Sequence, residues 1–137
     1  MSDAICKQIF EGINNEKLRF LNISRNCLSG DSLDNVVRVL SRNPDLQKLA
    51  MQHNRFGEGN VEHFAAILKS HQSLEYLDIS GNKIRNFSFI LIYSAVQSQT
   101  SRLCTLQCRK NKIGGPKVDD VLRLRSGHLT RLNLTGN

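Results

Sequence analysis

No run of apolar residues in this chain is long enough to cross a bilayer. The longest, Phe87 to Val96, is broken by Ser88 and Ser94 and falls well short of the roughly 20 residues a span requires. Met1 to Ile13 carries Asp3 and Glu11 where a secretory leader would be apolar, so the sequence predicts an intracellular, soluble protein of the cytoplasm, with the nucleus left open. Proline is scarce at two residues and glycine modest at nine, which excludes collagen-like and low-complexity chains. The four cysteines, Cys6, Cys27, Cys104 and Cys108, include no CxxC pair. That spacing argues against a zinc site or a secreted disulfide scaffold and predicts free thiols.

Acidic residues are also in short supply. Twelve Asp and Glu face nineteen Lys and Arg among 137 residues, a formal net charge of +7, and a surplus of that size points toward acidic partners. The surplus is uneven: nine basic and eight acidic residues lie up to Lys69, against ten basic and four acidic from Ser70 onward. At this length one domain is expected.

What the chain does have is a repeat. Leu18-Arg-Phe-Leu21-Asn-Ile23-Ser-Arg-Asn26 returns as Leu46 to Asn54, Leu74 to Asn82, Leu103 to Asn111 and Leu129 to Asn137, the starts separated by 28, 28, 29 and 26 residues. An apolar residue follows two places after the Asn, at Leu28, Phe56, Ile84 and Ile113. Apolar positions at helical spacing come next: Leu33, Val36, Val37 and Leu40, then Val61, Phe64, Ala65 and Leu68, and later Val118, Val121, Leu122 and Leu124. Gly30, Gly57 with Gly59, and Gly114 with Gly115 precede three of these helices, and Pro116 suits a first helical turn.

Period two thus becomes period 3.6 within each unit. A short strand turns residues such as Leu21 and Ile23 inward and Phe20, Asn22 and Ser24 outward, and neither strand nor helix buries its apolar side alone. Stacking the units produces an α/β solenoid of about four and a half repeats, with a curved parallel sheet on the concave side and helices on the convex side. The Asn side chains are placed to satisfy backbone groups in the turn after each strand. The expected divisions are a helical cap over 1–14, with Ile5, Ile9, Phe10 and Ile13 as its apolar stripe and Ser2 as N-cap, repeats over 18–45, 46–73, 74–102 and 103–128, and a partial repeat over 129–137. A strand motif without a following helix predicts an edge covered by further repeats, another domain or a second subunit, in a longer protein.

The five copies resemble the leucine-rich-repeat family, whose pattern LxxLxLxxNxL they match from Leu18 to Asn137. Repeats of 28 to 29 residues with a full helix are similar to the ribonuclease-inhibitor-like subclass, and that resemblance implies an intracellular recognition or scaffold role.

Equivalent positions line up as outward columns. The first runs Phe20, Lys48, Tyr76, Thr105, Arg131, the second Asn22, Ala50, Asp78, Gln107, Asn133, and the third Ser24, Gln52, Ser80, Arg109, Thr135. Rigid aromatic area mixed with charge is the composition of binding hot spots, so Phe20, Lys48, Tyr76, Asp78, Gln107, Arg109 and Arg131 form the expected contact surface for a protein partner. A basic rim follows the strands at Arg25, Arg55, Lys83, Arg85, Lys110 and Lys112, with His53 among them. It suits an acidic partner, the alternative being RNA or anionic lipid. In the third helix Ile90 and Leu91 stand where the other repeats carry Asp34-Asn35, Glu62-His63 and Asp119-Asp120. With Phe87 they form an expected apolar patch on the convex face; the competing reading is a shifted helix that buries them.

Catalytic groups do not converge. His53, His63, His71 and His128 fall on separate elements with no aligned Ser, Cys and carboxylate, Cys108 points to a core position, and Gly57-Glu-Gly59 is a repeat turn rather than a dinucleotide loop. The sequence therefore predicts no enzyme, no cofactor and no metal.

Overall fold

The computed structural model describes residues 3–13 and 17–137; the Ser2 cap lies outside them. Helices and strands alternate in the order α1 (Asp3–Gly12), β1 (Phe20–Asn22), α2 (Leu33–Arg42), β2 (Lys48–Ala50), α3 (Val61–Ser70), β3 (Tyr76–Asp78), α4 (Asn86–Val96), β4 (Thr105–Gln107), α5 (Pro116–Arg123) and β5 (Arg131–Asn133). A 3-10 turn at Gly30–Ser32 leads into α2. The five strands form one parallel sheet in sequence order. Each helix packs beside the next to make the second layer. Because neighbouring helices need about 8–10 Å and paired strands only about 4.8 Å, the stack curves with the sheet on its concave side.

The sheet register brings the repeat pattern into line, with Leu21, Leu49, Leu77, Leu106 and Leu132 as successive partners. Leu49, Leu77 and Leu106 are fully buried, as are Leu46, Leu74 and Leu103 or nearly so, and they meet Phe64, Phe89, Ile92 and Val96 from the helices. The asparagines then close the strand ends into a ladder. Oδ1 of Asn54, Asn82, Asn111 and Asn137 accepts from the backbone N–H of Asn26, Asn54, Asn82 and Asn111 at 2.8–3.1 Å. The Nδ2 groups donate to carbonyls of their own and the preceding repeat: Asn82 to Ile79 and Met51, Asn111 to Cys108 and Ile79. Turn amides and carbonyls that would be buried without partners are satisfied in this way. Gly30 and Gly59 let two neighbouring loops touch, since a Cβ on Gly30 would stand 2.6 Å from the Gly59 Cα.

Four local expectations change. In α2 the buried residue is Val39 rather than Val37, which lies half-buried at the flank. α5 stops at Arg123, Leu124 adopts an extended conformation and is 70% exposed, so the last apolar residue of that stripe leaves the core. In α1 the contacts come from Cys6 and Phe10, whereas Ile5 and Ile9 are about half exposed. In α4, Ile90 and Leu91 are half-buried against the core beside the fully buried Phe89, Ile92, Tyr93 and Val96; Phe87 alone of the three is exposed. That flank of the helix is covered because α3 and α5 pack on either side of it.

Candidate protein-binding surface

The outward columns are continuous across the sheet, Phe20, Lys48, Tyr76, Thr105 and Arg131 being consecutive register partners. Phe20 and Arg131 stand four strand steps apart, about 19 Å. Tyr76, Asp78, Gln107 and Arg109 are the proposed contact residues that the fold brings side by side, on β3, β4 and the turn after β4. Phe20 is 53% exposed, Lys48 and Arg131 are exposed, Tyr76 and Gln107 are half-buried, and Ala50 is buried, which leaves a low point between Lys48 and Asp78.

Asp78 organises the centre. Its Oδ1 accepts the Ser80 N–H at 2.9 Å. Burial first, and then the neighbouring Asp78 carboxylate, raise the Tyr76 phenol above its ordinary pKa, so the hydroxyl stays protonated. Ser24 Oγ donates to Gln52 Oε1 at 2.7 Å, and the Arg109 N–H donates to Ser80 Oγ at 3.1 Å. These bonds fix the third column. Where it meets the rim, Gln52, His53, Asp78, Ser80, Arg109 and Lys110 enclose a shallow hollow. Gln52 and Ser80 were not among the expected contact residues, although their place in the third column was the available signal.

The rim itself is built on unusual backbone. Arg25, His53 and Lys110 have φ of 61°, 56° and 51°, and the same column holds Gly81 and Gly136 at 66° and 79°. A left-handed turn after each strand is what re-aims the chain toward the helix, and only glycine takes it without a steric cost. Gly81 lets the His53 ring lie against the next turn, since a Cβ there would stand 2.6 Å from His53 Nδ1. Two parallel bridges, Ser29 with Arg55 and Arg85 with Lys112, hold the loops beyond.

None of the four cysteines is in a disulfide; Cys6 and Cys108 are buried. Burial and, secondarily, the Asp78 charge push the Cys108 thiol far up, so it is a core side chain and not a nucleophile. His71 is buried and structural: Nδ1 accepts from the Ser73 and Leu74 amides at 3.3 and 3.1 Å, and Nε2 reaches the Asn43 carbonyl at 3.2 Å. Among the described residues no group of three His, Cys, Asp or Glu could hold a metal ion. No helix among them is long and apolar enough to cross a membrane.

Comparison with known proteins agrees with the repeat architecture. Two leucine-rich-repeat family models match, at residues 17–38 and 70–86. The human NACHT, LRR and PYD domains-containing protein 12 is 27% identical over 127 residues, a match covering 90% of this chain and 12% of that protein. Among solved structures, leiomodin-1 actin-binding site 2 superposes with a TM-score of 0.73 at 18% identity, covering 93% of this chain and 77% of the other. The repeated motif, its asparagine ladder and these matches together support a leucine-rich-repeat protein.

Proposed function

We propose that the chain is a non-catalytic protein-interaction module that receives its partner on the concave face of the sheet. The observation that carries this reading is the set of outward columns: Tyr76, Asp78 and Gln107 on the parallel sheet and Arg109 on the turn after β4 lie together, flanked by Phe20, Lys48 and Arg131. Aromatic and arginine side chains on a pre-organised scaffold lose little entropy on binding, which is why such residues dominate interface energetics. Repeat lengths of 28 to 29 residues and helices of 10 or 11 residues in the middle repeats support the ribonuclease-inhibitor-like subclass, and with it an intracellular setting. The leiomodin-1 neighbour is an actin-binding site, which makes actin a sensible first purified partner to assay.

The test is a paired capture and titration. Wild type and the double variant Tyr76→Ala/Arg109→Ala are cross-linked to interacting proteins, and each captured protein, with actin included as a purified sample, is titrated into both. At least a tenfold loss in the variant, with the thermal melt unchanged, is expected; equal affinity for both would place binding elsewhere on the molecule.

A further inference from the structure

Two features read from the sequence as separate surfaces meet in the fold. Phe87 was expected with Ile90 and Leu91 on the convex face. Those two instead pack against the core, while Phe87 remains 56% exposed and lines a hollow with Glu58, Arg85, Asn86 and Lys112. The aromatic ring therefore belongs to the basic rim, away from the concave columns.

The hollow is held in shape from beneath. Lys112 N–H donates to the Ile84 carbonyl at 2.8 Å, within the bridge that pairs Lys112 with Arg85. Asn86 clamps the next loop in both directions, its Oδ1 accepting from the Gly114 N–H at 2.9 Å and its Nδ2 donating to the Gly114 carbonyl at 2.7 Å. Neither side-chain choice above this frame serves stability. Like charges set opposite each other on paired backbone repel, and a ring left in water forgoes the gain of burial. Neither cation is ion-paired: among the described residues the ion pairs are Arg19 with Asp45, His63 with Asp34 and Arg123 with Asp120, and the Glu58 carboxylate on the same hollow joins none of them. Local choices that work against the fold concentrate where a surface has another use.

We propose that this hollow is a second docking site, for an acidic segment of a protein partner that lays one apolar side chain on Phe87 and sets flanking carboxylates against Arg85 and Lys112. Charge complementarity selects the acidic partner, and the single ring selects one apolar anchor. A peptide is favoured over nucleic acid because the hollow has one aromatic platform and carries the Glu58 carboxylate in its wall, whereas single-stranded binding uses successive stacking side chains along an uninterrupted basic groove. It is favoured over a bilayer because membrane-surface binding draws on a broad apolar face.

The experiment titrates the protein with a library of short acidic peptides each bearing one apolar residue, with serine-substituted controls, oligo-uridine and phosphatidylserine vesicles alongside. The expected result is that apolar-bearing peptides bind and the serine controls bind weakly. Phe87→Ser should lower peptide affinity about tenfold, the value of roughly one buried side-chain contact. Phe87→Leu should retain most of it, and Arg85→Glu/Lys112→Glu should abolish it. Tyr76→Ala/Arg109→Ala should leave it unchanged, which separates this site from the concave face. The proposal is overturned if no peptide binds, if Phe87→Ser binds peptides as wild type does, or if oligo-uridine or vesicles bind more tightly than every peptide.

Discussion

At the residue scale, the side chains that matter most for folding are polar. Asn82 is fully buried, and its amide donates to the Met51 and Ile79 carbonyls while its carbonyl oxygen accepts the Asn54 amide. Asn82→Ala leaves those groups buried and unpaired, at about 1–3 kcal/mol each. A loss of about 3 kcal/mol or more in urea denaturation is expected, more than for an exposed strand residue such as Lys48→Ala. His71 makes a second, pH-dependent contribution. Burial lowers its pKa from the ordinary 6.5, so between that lowered value and 6.5 the unfolded chain binds a proton that the folded chain excludes. The stability from this ring is complete above about 6.5 and is lost as pH falls toward the lowered value. The geometry gives the reason, since a protonated Nδ1 cannot accept the Ser73 and Leu74 amides. His71→Asn, the residue found at the equivalent Asn43, should flatten the acid limb of a plot of urea midpoint against pH; an undiminished slope would assign that limb to other groups.

At the scale of elements, α4 shows how far periodicity can be read. The repeat alignment puts Phe89, Ile92, Tyr93 and Val96 at the inward positions of the unit, and all four are buried, because register inherited from sibling repeats is a strong constraint on which face turns inward. It did not resolve the degree of exposure at Phe87, Ile90 and Leu91, which depends on how closely α3 and α5 approach. The same helix therefore offers an internal comparison. Ile92→Ala should cost about 2–5 kcal/mol as a large-to-small change in a close-packed core. Phe87→Ser, at an exposed site, should change stability by only about 0.5 kcal/mol. Parallel thermal melts of the two variants test this, and similar losses in both would mean that Phe87 is packed. The ends of α2 and α5 carry a related lesson. Val39 rather than Val37 enters the core, and Leu124 leaves it at the end of α5. Helix phase and helix termination are decided by packing, which spacing alone does not contain.

For the whole molecule, one-dimensional stacking makes stability a sum of neighbour contacts. Burial is deepest in the middle, where Leu77, Ile79, Leu106 and Cys108 are almost inaccessible, and falls away toward β5, where Leu132 and Leu134 are only half-buried. Amide hydrogen exchange should follow that gradient, slowest in β3 and β4 and fastest among the strands in β5. Uniform protection across all five strands would instead indicate one cooperative unit. The charge has a comparable organisation, since the basic surplus that begins at Ser70 supplies Lys83, Arg85, Lys110 and Lys112 to one rim.

The amino-acid sequence by itself determined the architecture: five copies of one motif at nearly constant spacing leave stacking as the way to bury Leu49, Leu77 and Leu106 together, and their asparagines already marked the turns. It also determined the columns, because residues at equivalent repeat positions must become neighbours across a parallel sheet. What only the tertiary structure decided was the company each exposed residue keeps. Phe87 joined Arg85 and Lys112 because Asn86 ties its loop to Gly114, and His53 came to lie over Gly81 because the turn column is left-handed. Such contacts cross between repeats and depend on side-chain direction and loop closure, whereas a periodic pattern specifies only which face of each element turns inward.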